Sequence, residues 1–162
     1  MELSDLLKKG IQCENEAKRF YNKLSEKVFD NKVKRRLIKL SKEEERHEES
    51  LKKLLKKNFN LNFDADESFK ENPEFSNVEL DLGKDVKSVD IVRIALQSEI
   101  NAIEFYSKML IEIKDGRDKR VLNSLIKMEK GHEDILRREY ELLKKEDYWS
   151  KPTMENLGDL RL

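Results

Sequence analysis

The stretch IQCENEAKRFYNKLSEKVFDNKVKRRLIKLSKEEERHEESL, residues 11–51, returns 85 residues later as LQSEINAIEFYSKMLIEIKDGRDKRVLNSLIKMEKGHEDIL, residues 96–136. The two align without a gap and are identical at 16 of 41 positions. Glu14 falls on Glu99, Ala17 on Ala102, and Phe20-Tyr21 on Phe105-Tyr106. Glu44 falls on Glu129, and His47-Glu48 on His132-Glu133, so both histidines of the chain lie inside the repeat. The chain is a duplication, and whatever one copy does the other is built to do again.

Each copy reads as two helices. Leu3, Leu7, Cys13, Ala17, Leu24 and Val28 mark one apolar stripe at roughly helical spacing, and Val33, Leu37, Leu40, Leu51 and Leu54 mark the next. Asp30-Asn31 supplies a turn between them, matched by Asp115-Gly116 in the second copy. Ser88 is the expected N-cap of the third helix, with Asp90 in its first turn where a negative charge suits the helix dipole. The pattern predicts helices over about 3–29, 31–57, 89–114 and 117–146. Between the hairpins, 58–87 is rich in Asn, Asp, Glu and Ser and carries no helical stripe. A helix of such length is about 40 Å long, and a linker of this size can travel all of it. The expectation is therefore all-α: a ferritin-like four-helix bundle of two antiparallel hairpins joined by a long crossover, over 1–147, with a tail at 148–162.

Composition narrows the function. The 162 residues hold 34 Lys+Arg against 34 Asp+Glu, and a balanced charge of that density argues against a nucleic-acid-binding face. It suits helices with Lys and Glu alternating on their outer faces; the run Lys34-Arg35-Arg36 reads as such a solvated face. The single Cys13 excludes an intramolecular disulfide and a cysteine-only metal site. It neighbours Glu14 but points about 100° away on a helix, and its repeat partner is Ser98, so it reads as a packing residue. No apolar run resembles a signal peptide or approaches the ~20 residues that span a bilayer, so a cytoplasmic protein is expected.

Polar residues stand where the apolar stripes should continue. In the second helix the stripe runs Leu37, Leu40, Glu44, His47, Leu51, and in the fourth Leu122, Leu125, Glu129, His132, Leu136. Glu14 and Glu99 occupy the same inward face as Ala17 and Ala102. Counted from the turn at residue 30, Glu14 lies 16 positions before it and Glu44 and His47 lie 14 and 17 after; from residue 115 the same holds for Glu99, Glu129 and His132. In antiparallel hairpins these residues are level. Burying one unpaired carboxylate costs several kcal/mol, so a layer holding four must contain compensating positive charge. A Glu and a His three apart on one helix face can reach one ion. Two ions would then take one histidine each and share the carboxylates, a donor set that suits iron or manganese, and zinc less exclusively. The alternative is a metal-free polar core.

At these residues the chain resembles the rubrerythrin branch of the ferritin-like superfamily. The motifs are Glu14-x-x-Ala17-x-x-Phe20-Tyr21, Glu44-x-x-His47, Glu99-x-x-Ala102-x-x-Phe105-Tyr106 and Glu129-x-x-His132. The resemblance implies a di-iron centre bridged by Glu44 and Glu129, with Glu14 and Glu99 as terminal ligands and His47 and His132 completing the set. It implies reaction with hydrogen peroxide or dioxygen. Rubrerythrins typically add a four-cysteine iron domain that feeds electrons to the centre; one cysteine cannot build it, so an external electron-donor protein is expected. They also typically place an extra glutamate one turn beyond the terminal ligand of the third helix, where this chain has Ala102.

Tyr21 and Tyr106 lie seven residues beyond Glu14 and Glu99 on the same face. They are either donors that orient a carboxylate across the bundle or aromatic filling with some partner for the hydroxyl. Three functions follow: a di-iron oxidoreductase reducing peroxide or dioxygen, a protein that oxidises or sequesters iron, or a structural bundle that binds a partner. A homodimer is the expected assembly, with no nucleic acid or membrane among its partners.

Overall fold

The computed structural model describes residues 2–66 and 87–150, the last four of these by backbone alone. Four helices make it up: α1 (Leu3–Lys27), α2 (Asn31–Phe59), α3 (Ser88–Glu112) and α4 (Gly116–Ser150). The two hairpin turns are built alike. Asp30 accepts from the backbone N–H groups of Lys32 and Val33 at 2.8 and 3.0 Å, and Asp115 accepts from those of Arg117 and Asp118 at 2.7 and 3.3 Å. Each aspartate thus satisfies two of the donors that a helix start leaves unpaired. Just before them, Val28 and Ile113 adopt extended backbone and bury their side chains, which ends α1 at Lys27 and α3 at Glu112, two residues before the pattern predicts.

Two expectations about helix ends are corrected. Ser88 is the first residue of α3 rather than its cap; Lys87 holds that position with no side-chain bond to the helix, while Asp90 does lie in the first turn. At the other end, α4 runs on through Tyr148 and Trp149 to Ser150, and residues 151–162 of the tail lie outside the described residues. α2 closes at Asn60, whose left-handed backbone (φ 53°) aims its N–H at the Lys56 carbonyl, 2.9 Å away. Asn is among the few residues that take this conformation at little cost.

The core falls into two apolar clusters. One gathers Leu24 from α1 and Val28 just after it, Val33, Leu37 and Leu40 from α2, Ile91, Val92 and Leu96 from α3, and Leu136 from α4. The other gathers Leu7 and Ile11 from α1, Leu51, Leu54 and Leu55 from α2, Met109 from α3 and Ile113 just after it, and Leu122 and Leu125 from α4. The first therefore joins the end of α1 to the beginnings of α2 and α3, and the second joins their opposite ends. α2 and α3 run parallel, and the chain must cross the full bundle length between them, as the expected crossover does. Its beginning is pinned where Gln12 exchanges two hydrogen bonds with the backbone of Asp66, at 2.7 and 2.9 Å, and where Phe63 and Ala65 pack on the second cluster. The rest of it, 67–86, lies outside the described residues.

The basic run is only partly solvated. Lys34 and Arg35 are exposed, but Arg36 is half-buried and pairs with the buried carboxylate of Glu139 on α4 at 3.2 Å. Because the duplicated aspartates serve equivalent helix starts, Asp30→Ala and Asp115→Ala are each expected to cost about 1 kcal/mol and to lower Tm by about 2–4 °C in thermal melts.

Candidate metal centre

Between the two apolar clusters lies a polar layer. Glu14, Glu44, His47, Glu99, Glu129 and His132, the six residues singled out in the sequence, are all buried and converge here. They arrange as two groups: Glu14, Glu44, His47 and Glu129, and Glu44, Glu99, Glu129 and His132. In each, one donor atom per residue lies within 4.8 Å of all the others, and Glu44 and Glu129 belong to both. The Nδ1 of His47 faces Glu129 Oε1 at 2.8 Å, Glu44 Oε2 at 2.9 Å and Glu14 Oε2 at 3.4 Å. The Nδ1 of His132 faces Glu129 Oε2 at 3.1 Å, Glu99 Oε2 at 3.5 Å and Glu44 Oε1 at 3.7 Å. The two imidazole rings lie nearly parallel, 5.8 Å between centroids.

The electrostatics of this layer are unbalanced. Among the described residues the only ion-pair partners of the four carboxylates are the two imidazoles. Burial, reinforced by the charges of Glu129, Glu99 and Glu14, pushes the Glu44 carboxyl well up. Burial likewise raises Glu14, and burial with the Glu129 charge raises Glu99 to about 8. Burial works against both charged imidazoles, yet the carboxylates around them win: His47 is raised, and His132 is raised to about 11. Glu129 moves the other way, its burial outweighed by the two imidazoles beside it, His132 and His47. Without a metal the layer can only share protons.

Even so, His47 Nδ1 and Glu129 Oε1, though 2.8 Å apart, are not aligned for a hydrogen bond, and both are buried without a hydrogen-bond partner. Orphaned inward donors of this kind are rare in folded proteins. Two divalent cations would cancel four carboxylate charges and engage these atoms, so the residues present fit a pair of metal ions.

The tyrosines lock the layer across the hairpins. Tyr21 of α1 donates to Glu99 Oε1 of α3 at 2.7 Å, and Tyr106 of α3 donates to Glu14 Oε1 of α1. Each hydroxyl is buried against the non-shared carboxylate of the other hairpin. Ala102 packs against the second apolar cluster, and Cys13 is half-buried outside both donor groups. Sequence reasoning missed Glu43, whose Oε2 lies 2.5 Å from His132 Nε2. The repeat gave no signal, since its counterpart is Met128.

The rubrerythrin family model matches residues 5–140, the whole four-helix unit up to the middle of α4. The chain belongs to the rubrerythrin family. Among solved structures it is similar to a hypothetical protein from Pyrococcus furiosus, with 30% identity over 90% of this chain and 92% of that one and a TM-score of 0.70. It is also similar to a candidate ferritin-like diiron-carboxylate protein from Thermotoga maritima, with 26% identity over 87% of this chain and 95% of that one and a TM-score of 0.71. No curated protein sequence matches the chain. As a rubrerythrin-family protein, it carries at its centre a buried cluster of carboxylates and histidines that can hold metal ions. No helix among the described residues is long and apolar enough to cross a membrane.

The proton sharing has a consequence for stability. The unfolded chain releases the Glu99 proton near 4.5 and the His132 proton near 6.5, whereas the folded metal-free layer holds them to about 8 and about 11. Between those values the folded state binds more protons, so its stability falls as pH rises. Glu129, whose carboxyl is lowered, loses its contribution only in strong acid, outside this window. Melts of chelator-treated protein should therefore show Tm falling from pH 6.5 to 9, by roughly 3–6 °C per pH unit for each proton held. Metal-loaded protein should lose this slope, because bound metal displaces the protons.

Proposed function

We propose that the protein is a di-iron oxidoreductase that reduces hydrogen peroxide or dioxygen with electrons from an external donor protein. The observation that carries this reading is the pair of donor groups sharing Glu44 and Glu129, which matches a centre of two ions bridged by two carboxylates. Glu14 and His47 would complete one ion's ligands, and Glu99 and His132 the other's. Oxygen and imidazole donors favour iron, with manganese or zinc as substitutes. Bound as a ferrous pair, the metals supply two electrons per turn, so that peroxide and two protons leave as two water molecules.

The chain's own groups hold that chemistry in place. Tyr21 and Tyr106 fix the rotation of the two terminal carboxylates through their hydroxyls. The apolar clusters on either side exclude water from the layer and strengthen every charge interaction within it. The one cysteine among these 162 residues cannot hold a four-cysteine iron site, so electrons would reach the layer from outside them.

A second reading, oxidation or handling of iron itself, is favoured by one residue. Ala102 stands where rubrerythrins typically carry a further glutamate, which leaves a six-residue donor set close to that of ferritins.

Anaerobic loading with ferrous iron should give about two ions per chain by elemental analysis, and Glu44→Ala/His47→Ala should lose most of both. Mixing the loaded protein with peroxide in a stopped-flow instrument should oxidise the pair with one peroxide consumed, and added reductant should restore it for further cycles. Oxidation followed by release of ferric iron without cycling would favour the iron-handling reading. Failure to take up metal would sink both.

A further inference from the structure

The two donor groups have the same composition, three carboxylates and one imidazole, but their surroundings differ. Both histidines turn Nδ1 inward, and the difference lies behind the rings. The Nε2 of His132 lies 2.5 Å from Glu43 Oε2, a contact that crosses from α2 to α4. Glu43 is in turn 3.8 Å from Lys39, one turn earlier on α2. On the other side of the duplication the position of Glu43 is taken by Met128, whose thioether is a weak acceptor without charge.

We propose that Glu43 is a positioning residue that makes the two metal positions unequal, so that the ion held by His132 is bound more tightly than the ion held by His47. The inference rests on the metal centre proposed above. When Nδ1 gives its lone pair to a metal, the remaining ring proton must sit on Nε2. Glu43 accepts that proton in a charge-assisted bond, which fixes the tautomer and the ring rotation and raises the donor strength of Nδ1. Among the described residues no carboxylate meets the Nε2 of His47, so no comparable bond fixes that ring from behind. Glu43 keeps a quarter of its side chain exposed, so it stands at the edge of the buried layer and outside the donor groups. A duplicated centre thereby acquires a strong and a weak position.

The test is anaerobic calorimetric titration of the chelator-treated full-length chain with cobalt(II), followed in parallel by the cobalt ligand-field spectrum. Wild type should bind two ions in separable steps. Glu43→Ala should weaken the tighter step by about 10–100-fold and leave the weaker one in place, and Glu43→Gln, which keeps an acceptor oxygen, should recover part of the loss. Combining Glu43→Ala with His47→Ala should preserve its effect on the remaining tight step, whereas combining it with His132→Ala should abolish the effect. The proposal is overturned if wild type fills both positions in one indistinguishable step, or if Glu43→Ala weakens both steps equally. It is equally overturned if the effect survives in His132→Ala, because the carboxylate would then act through long-range charge. Two ions taken up with no change in Glu43→Ala would overturn the role of Glu43 and leave the centre standing. No uptake by wild type would overturn both.

Discussion

Four carboxylates buried at mid-height in a helical bundle constrain the rest of this structure. An ionised carboxylate taken out of water costs several kcal/mol unless opposite charge and hydrogen bonds meet it, and two imidazoles do not suffice for four. Without metal the layer therefore cannot supply the main cohesion of the bundle. Cohesion has to come from the apolar clusters on either side, each drawing on all four helices. Tyr21 and Tyr106 connect the two requirements. Each ring lies in one apolar cluster while its hydroxyl holds a carboxylate of the polar layer, so packing of the clusters sets the geometry of the donors.

The duplication acts on this arrangement in a particular way. Shifting by 85 residues carries Tyr21, Leu24, Val28, Leu37 and Leu40 of the first cluster onto Tyr106, Met109, Ile113, Leu122 and Leu125 of the second. Ile11 and Leu51 of the second move onto Leu96 and Leu136 of the first. The repeat thus exchanges the two ends of the bundle and leaves the layer in the middle fixed, which is why Glu44 and Glu129 come to be shared. Symmetry breaks at several inner positions, Val33 against Asp118 and Leu54 against Glu139 among them. Gly10 on α1 stands where α3 has Ala95, and a Cβ at Gly10 would come 3.0 Å from Leu51 Cδ1 and 3.6 Å from the Tyr106 ring. The absence of that methyl spares the Leu51 side chain a tight contact, whereas the Tyr106 ring would meet it at ordinary van der Waals distance. At the equivalent place Tyr21 also approaches the Ala95 carbonyl, at 3.4 Å.

How much of this was legible in the sequence follows from what repeats and what does not. The stripes of Leu and Val, interrupted at Glu44-x-x-His47 and Glu129-x-x-His132, place four helices and six inward polar residues, because periodicity and equal distance from a turn are local properties of the chain. Asp30 and Asp115 were readable as turn residues but not as caps, since capping depends on which residue first adopts helical backbone. Ser88 shows the same limit from the other side, as a residue of preferred cap type that lies one position inside the helix. Arg36 looked like part of a solvated run because its partner, Glu139, is 103 residues away. Glu43 was hidden for a related reason. It sits among adjacent glutamates, its contact is 89 residues distant, and the repeat pairs it with a methionine.

Redox chemistry in such a layer carries an electrostatic condition. Two divalent ions would balance four carboxylates, and removing one electron from each would leave two positive charges unmatched in a region of low dielectric. A further glutamate one turn beyond Glu99 would meet part of that change by direct ligation, but Ala102 occupies the position and packs into the second apolar cluster. Glu43 is an anionic group outside the six that is already in contact with one of them. It stands behind an imidazole ring, so it can stabilise added positive charge through the Nε2–H bond without itself becoming a ligand. A centre compensated from behind its histidine can keep one donor set in both oxidation states, whereas a centre compensated by ligation must exchange one carboxylate for another. This chain has the residues for the first arrangement and lacks the extra glutamate for the second.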